Sequence, residues 1–329
     1  MSIPLNVITG FLGSGKTTLL KRLLSHQALG DTVVLINEFG EVGLDHLLVE
    51  EIAPDAILLP SGCVCCSVRG DLKAALLKLE ERRHRGEIQP FARVLLETTG
   101  LADPAPILAT LAKDANLRGH YHLGLMITVV DAQHAELQER LHPEWLAQVA
   151  AADRLLLSKD DLVPPASLAR LRERLTQLNG GAVQRMARDV QGGDELLWGQ
   201  GLGGPAIEAE VARWQLFKPV DAQRHGEAQV CCLSLDQPVD WMAFGVWLSM
   251  LLRCHGERVL RVKGLLEVIN SEQPIVIHGV QHCLHAPLHL ATWPGGVRGS
   301  RLVFIVRGLD PALLRRSFAA FLEQPSQAA

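Results

Sequence analysis

Two strings in this chain have residue types and spacing suited to chemistry: Gly10-Phe-Leu-Gly-Ser-Gly-Lys16-Thr17 and Pro60-Ser-Gly-Cys63-Val-Cys65-Cys66-Ser67. The first satisfies the pattern G-x-x-x-x-G-K-[ST], directly after an apolar run and before helical periodicity from Thr18 to Ser25. Gly10, Gly13 and Gly15, with Ser14 between them, let backbone N–H groups close around phosphate oxygens. The helix start adds its dipole. Lys16 would reach the β- and γ-phosphates, and Thr17 would place its hydroxyl on Mg²⁺. Thr18 joins them as a nucleotide-binding residue at the loop's exit.

Two carboxylates could complete the magnesium and water shell. Glu97 ends the run Val94-Leu-Leu96 and is followed by Thr98-Thr-Gly100. There it can hold Mg²⁺ directly or through water, and the Gly100 N–H can serve the γ-phosphate. Glu38, in Asn37-Glu-Phe-Gly-Glu41, follows a second strand where a switch would lie. It could orient the attacking water or touch the metal. Ser158-Lys159-Asp160-Asp161 has the form of a guanine-reading [NTS]-K-x-D motif, with Ser in place of the usual Asn. Asp161 would accept from guanine N1–H and the exocyclic amine, and adenine would leave it unpaired. The Lys159 stem would stack along the base. This pairing favours GTP over ATP.

Cys63, Cys65 and Cys66 form the second site. Thiolates suit Zn²⁺ and Cu(I), and less specifically Co²⁺ or Ni²⁺. Three sulfurs around a tetrahedral ion leave a fourth position, for which Glu41, a histidine, water or a partner protein are candidates. An open position suits a metal that is handed on. The competing reading is a redox switch in which a disulfide forms and breaks.

The elements that must position these groups follow from periodicity. Near-continuous apolar runs at Leu5–Thr9, Thr32–Ile36, Ala56–Leu59, Arg93–Glu97, Leu125–Val130, Arg154–Ser158 and Ala182–Met186 are predicted strands of a parallel sheet covered on both faces. Between them Leu72, Leu76 and Leu79 fall on one helical stripe. Leu168, Leu171, Leu175 and Leu178 fall on another, ending at Asn179-Gly180 as a C-cap. The alternation predicts an α/β class, a doubly wound P-loop domain over residues 1–215. A polar linker over 216–227 leads to a smaller α+β domain over 228–329. Its predicted elements are strand Gln229–Leu235, helix Trp241–Cys254, strands Arg258–Ile269, Ile275–Leu284 and Arg301–Val306, and helix Pro311–Leu322, with mostly antiparallel strands. Cys231, Cys232 and Cys254 read as buried thiols, and Trp241 and Trp247 as core. His282, His285 and His289 surround Cys283, but on extended chain His282 and His285 would point to opposite faces, against a shared metal site.

A net charge of −4 and no long basic run argue against a nucleic-acid partner. The apolar stretch Leu123–Val130 is too short to span a bilayer, so no membrane partner is expected. The N-terminus lacks a basic segment before its first apolar run and reads as a strand, not a signal peptide. Seven cysteines without an export signal read as cytosolic thiols or metal ligands, which places the chain in the cytoplasm.

Together these strings resemble the CobW-like family of P-loop GTPases and metallochaperones. The resemblance rests on Thr9–Thr18, Asn37–Gly43, Ser61–Cys66, Glu97–Pro104 and the Lys159/Asp161 pair, and on Arg261-Val-Lys-Gly264 and His278–His282 near the C-terminus. It implies slow GTP hydrolysis, Mg²⁺ at the phosphates, Zn²⁺ (or Co²⁺) at the thiols, and metal transfer to a client enzyme, with a homodimer left open. Two departures stand out: the linker holds only His225, and Ile36 occupies a position where some members carry Glu. Both departures speak against a secondary, weaker metal site. The rival readings are a nucleotide-gated zinc or redox sensor, and a small-molecule kinase, against which the Lys159/Asp161 pair speaks.

Overall fold

The computed structural model describes residues 2–24, 31–36, 57–58, 67–191, 208, 211, 228–235, 237–296 and 298–322. The chain divides into two compact units, Met1–Arg174 with Ala182–Gly204, and Leu175–Gly181 with Pro205–Ala329.

The first unit is a seven-stranded parallel sheet among the described residues. Its strands are β1 (Ile3–Thr9), β2 (Thr32–Ile36), β3 (Ile57–Leu58), β4 (Arg93–Glu97), β5 (Tyr121–Asp131), β6 (Arg154–Ser158) and β7 (Val183–Met186). They lie in the order β3-β2-β4-β1-β5-β6-β7. The order reverses at β1, so β4 and β5 flank it and their C-terminal ends open beside the phosphate loop, where α/β sheets bind ligands. Every β1 side chain is buried, as its near-continuous apolar run predicts. A register shift between Leu5 and Val7 is filled by buried Asn6, whose Oδ1 accepts from the Leu125 N–H at 2.7 Å.

Helices α1 (Lys16–Leu24) and α2 (Ser67–His84) cross between strands. They are followed by α3 (Ala105–Lys113), α4 (Ala115–Arg118), α5 (Ala135–Leu141), α6 (Pro143–Ala151) and α7 (Pro165–Leu178). Leu19, Leu20 and Leu23 of α1 pack on Ile8, Val34, Leu95 and Ile127. Leu72, Leu76 and Leu79 of α2 are buried, as their stripe predicts, while on α7 only Leu175 and Leu178 are.

Two expectations are corrected here. β5 starts four residues earlier than the apolar pattern, because Tyr121 and His122 pair with Ile3 and Pro4 of β1. Gly180 does not take the left-handed conformation of a glycine C-cap; α7 ends with the Asn179 N–H on the Leu175 carbonyl at 2.8 Å.

The second unit carries an antiparallel sheet. Its strands are β8 (Ala228–Leu235), β9 (Val259–Leu266), β10 (Ile275–Val280), β11 (Cys283–Leu284), β12 (Leu288–His289) and β13 (Ser300–Arg307). The order is β11-β10-β9-β13-β8, with β12 also on β10. Helices α8 (Trp241–His255) and α9 (Pro311–Leu322) bury Phe244, Trp247, Leu314 and Phe318 with Phe304 and Val262 of the sheet. Asp240 caps α8, accepting from the Ala243 N–H at 2.7 Å. The single strand expected over Ile275–Leu284 is a hairpin: Gln281 adopts φ 48° and turns the chain so that Val280 pairs with Cys283. Of the thiols expected to be buried, Cys231 is, Cys232 is half-buried and Cys254 is exposed. Burial pushes the Cys231 thiol up to about 11. Trp247 is core, whereas Trp241 is only partly buried against it.

Candidate functional site

The phosphate loop takes the conformation its glycines allow. Gly10, Gly13 and Gly15 have φ of 143°, 71° and 92°, in the region that side chains with a Cβ rarely adopt. Lys16 is buried, with Nζ donating to the Phe11 carbonyl at 3.2 Å, so the ammonium folds back over the loop. Ser14 is fully buried, and its carbonyl accepts from the Ser158 hydroxyl at 2.6 Å. Thr18 faces solvent at the start of α1.

The two predicted magnesium residues meet. The Thr17 hydroxyl donates to Glu97 Oε1 at 2.7 Å, although the two lie eighty positions apart. Parallel pairing of β1 with β4, with Ile8 opposite Glu97, sets this contact. A hydroxyl and a buried carboxylate are hard oxygen donors, the set that Mg²⁺ prefers. Next in the chain, the Thr98 hydroxyl donates to Thr9 Oγ1 at 2.9 Å. A Cβ on Gly100 would lie 2.5 Å from the Leu12 nitrogen, so only glycine lets this loop lie against the phosphate loop. The loop is also held from behind. Gln148 of α6, fully buried, donates from Nε2 to the carbonyls of Gly100 at 3.1 Å and Ala102 at 3.0 Å. Nothing in the Ala-rich sequence around Gln148 marks it.

The base-reading string sits at the end of β6. Ser158 supplies the tie to the phosphate loop that its hydroxyl can make, and also reaches the Val130 carbonyl at 3.3 Å. Lys159 takes φ 55°. Its Nζ lies 2.6 Å from Asp131 Oδ2, and His134 Nδ1 lies 2.9 Å from the same oxygen. Burial works to raise the Asp131 carboxyl, but hydrogen bonds from Lys159, His134 and the Gln133 N–H overcome it and hold the group below the usual carboxylate range. Asp160 is buried and pairs with Arg188 at 2.9 Å, joining the loop after β7 to the loop after β6. Asp161 is exposed. The string alone did not reveal Asp131, Gln148 and Arg188. Asp131 had a signal of the same kind as Glu97, a carboxylate ending an apolar strand.

Glu38, Glu41, Cys63, Cys65 and Cys66 lie outside the described residues. Among the described residues no three His, Cys, Asp or Glu side chains converge as metal ligands. The C-terminal histidines go separate ways. His282 Nδ1 is 2.9 Å from the Leu252 carbonyl. His285 stacks on His278 at 4.7 Å, and His289 is exposed.

Two family models match the chain. Residues 4–184 match "CobW/HypB/UreG, nucleotide-binding domain" and residues 228–322 match "Cobalamin synthesis protein cobW C-terminal domain". The chain is similar to the zinc chaperone YjiA of Escherichia coli K12, at 34% identity over 96% of this chain and 98% of that one. It is also similar to the zinc chaperone CobW of a Sinorhizobium species, at 27% identity over 97% of each. Its fold is similar to the crystal structure of Zn(II)-bound YjiA GTPase from E. coli, with a TM-score of 0.73, 26% identity, and 98% and 99% of the two chains covered. No helix among the described residues is long and apolar enough to cross a membrane. The chain belongs to the CobW/HypB/UreG family of nucleotide-binding proteins and carries the CobW C-terminal domain after its nucleotide-binding domain.

Proposed function

We propose that this protein is a GTP-hydrolysing metal chaperone. It binds zinc at Cys63, Cys65 and Cys66, with a fourth position that Glu41, a histidine, water or a partner protein would fill, and passes it to a client protein under control of the nucleotide. Residues 1–215 carry both sites, 216–227 link them to the C-terminal domain, and the reaction belongs to the cytoplasm. The observation that carries the nucleotide half is the Thr17–Glu97 contact at 2.7 Å beside the phosphate loop. The zinc chaperones and the zinc-regulated GTPase metalloprotein activator among its relatives support the metal half.

Lys16 neutralises β- and γ-phosphate charge, and Thr17 with Glu97 would hold Mg²⁺, which supplies further charge neutralisation when bound. The Gly100 N–H, in a loop pinned by Gln148, would donate to the γ-phosphate as charge builds there. Glu38 would orient the attacking water. The Glu38 and Cys63–Cys66 segments both lie between β2 and β4, so contacts made to the γ-phosphate would bias thiol geometry. A coupling of about 1–3 kcal/mol changes zinc affinity about 5- to 150-fold.

The test is a zinc titration against a chromophoric chelator under reducing conditions. It is run with Mg²⁺ plus a GTP analogue, with GDP, and with Cys63, Cys65 and Cys66 changed to Ser. One tight site that vanishes in the Ser variant and shifts with nucleotide is the expected result. No tight site in any state would remove the chaperone reading.

A further inference from the structure

Asp131 is a strand-end carboxylate whose bonds are divided by function. Its Oδ1 accepts the backbone N–H groups of Gln133 at 2.9 Å and His134 at 3.3 Å, which fixes the plane of the group. Its Oδ2 is thereby presented to Lys159 Nζ at 2.6 Å and to His134 Nδ1 at 2.9 Å. The carboxylate is 2% exposed and the lysine 33%, so the anchor is buried while the stem lies open at the mouth of the base site. A second tie fixes the same two loops: the Ala132 N–H donates to the Ser158 carbonyl at 3.0 Å. Lys159 also holds φ 55°, a conformation a non-glycine residue keeps only when its surroundings impose it.

A free lysine side chain loses rotamer freedom when it is ordered. A lysine already held before the ligand arrives does not lose it at binding. Resting on the guanine reading given above, we infer that Asp131 is a positioning residue for base recognition. It holds the Lys159 stem in a fixed line along which the purine stacks, with the Asp161 carboxylate at the base edge. His134 braces the carboxylate from its solvent side. Asp131 itself does not touch the nucleotide.

The experiment measures affinity of the full-length protein for fluorescent GDP, with unlabelled GDP and ADP as competitors, in wild type, Asp131→Asn, Lys159→Ala and the double variant. Turnover at saturating GTP is recorded alongside. Asp131→Asn should weaken GDP binding about tenfold, equivalent to about 1.4 kcal/mol. It should narrow the GDP-over-ADP preference and leave turnover at saturation within about twofold, since no group at the phosphates moves. The double variant should bind no more weakly than Lys159→Ala alone, because the carboxylate acts through the lysine. GDP affinity within twofold of wild type in Asp131→Asn, or additive losses in the double variant, overturns the inference. If Asp131→Asn does not fold, His134→Ala decides: a two- to fourfold weaker GDP affinity supports the bracing role, and unchanged affinity overturns it. Wild type that fails to prefer GDP over ADP refutes the guanine reading itself, a result distinct from a neutral Asp131→Asn in a protein that does prefer it.

Discussion

The nucleotide end of the parallel sheet and the aromatic core of the C-terminal unit are both buried, but different forces hold them. At the nucleotide end the buried atoms are largely polar: the Ser14 carbonyl, Thr98, Glu97, Asp131 and the Gln148 amide, each joined by directional hydrogen bonds across loops. In the C-terminal unit Phe244, Trp247, Phe304 and Phe318 fill the space with ring contacts at 4.5–6.3 Å. Hydrophobic burial is non-directional and scales with area, so it fixes a fold without fixing any atom closely. Hydrogen-bonded loops contribute less net stability but hold atoms to fractions of an ångström. This protein thus obtains its stability and its chemistry from different places.

That separation can be broken by substitution. Phe244→Ala should cost about 3–5 kcal/mol, read as a lower urea midpoint, while the nucleotide affinity of the folded fraction stays within about twofold. A large loss of affinity would show that the two regions are not independent. Lys16→Ala is the converse. It should weaken GTP binding about 10- to 100-fold and shift the urea midpoint less than Phe244→Ala does, because it removes a charge at the phosphate loop and no part of the aromatic core.

Gly100→Ala sharpens the comparison within the nucleotide end. The new Cβ would press on the Leu12 backbone, 2.5 Å from its nitrogen and 2.7 Å from its Cα. Turnover should fall about tenfold with GDP affinity nearly unchanged, since a γ-phosphate donor is displaced while the α- and β-phosphate cradle is not. Equal losses in GDP binding and turnover would place the damage in the phosphate loop instead.

The smallest effect is the pH dependence of Asp131. Its carboxyl is held below the ordinary value of about 4. The stability it contributes is therefore complete above that value and is lost as pH falls through its depressed folded-state value. Urea midpoints should show no pH dependence from this group between about pH 5 and 8, where its contribution is complete, and Asp131→Asn should lose less stability than wild type on acidification below about pH 4. Identical acid limbs in the two proteins would mean that the carboxyl is not depressed.

Much of this site was legible before any coordinates. All seven predicted strands of the first unit reappear with small shifts; interior strands such as β1, β4 and β6 are legible because a strand buried on both faces must be apolar almost throughout, while β7, at the edge, is only half-buried. Gly10, Gly13 and Gly15 announce the phosphate loop because their backbone conformation excludes most side chains. Less was legible in β10 and β11, where one apolar run conceals a turn at Gln281, a residue that carries no turn signal. Cys254, exposed on α8, shows that residue type alone is a weak guide to burial on a helix.

The sequence by itself determined the family and the order of strands along the first unit, and it picked out the glycine-rich loop string. Those depend on local backbone geometry and on periodicity, both written along the chain. Only the tertiary structure decided that Thr17 meets Glu97, that Gln148 pins the Gly100 loop, and that Asp131 holds Lys159. Such pairings join residues brought together by parallel strand register and helix packing, and no local pattern encodes a partner tens of positions away.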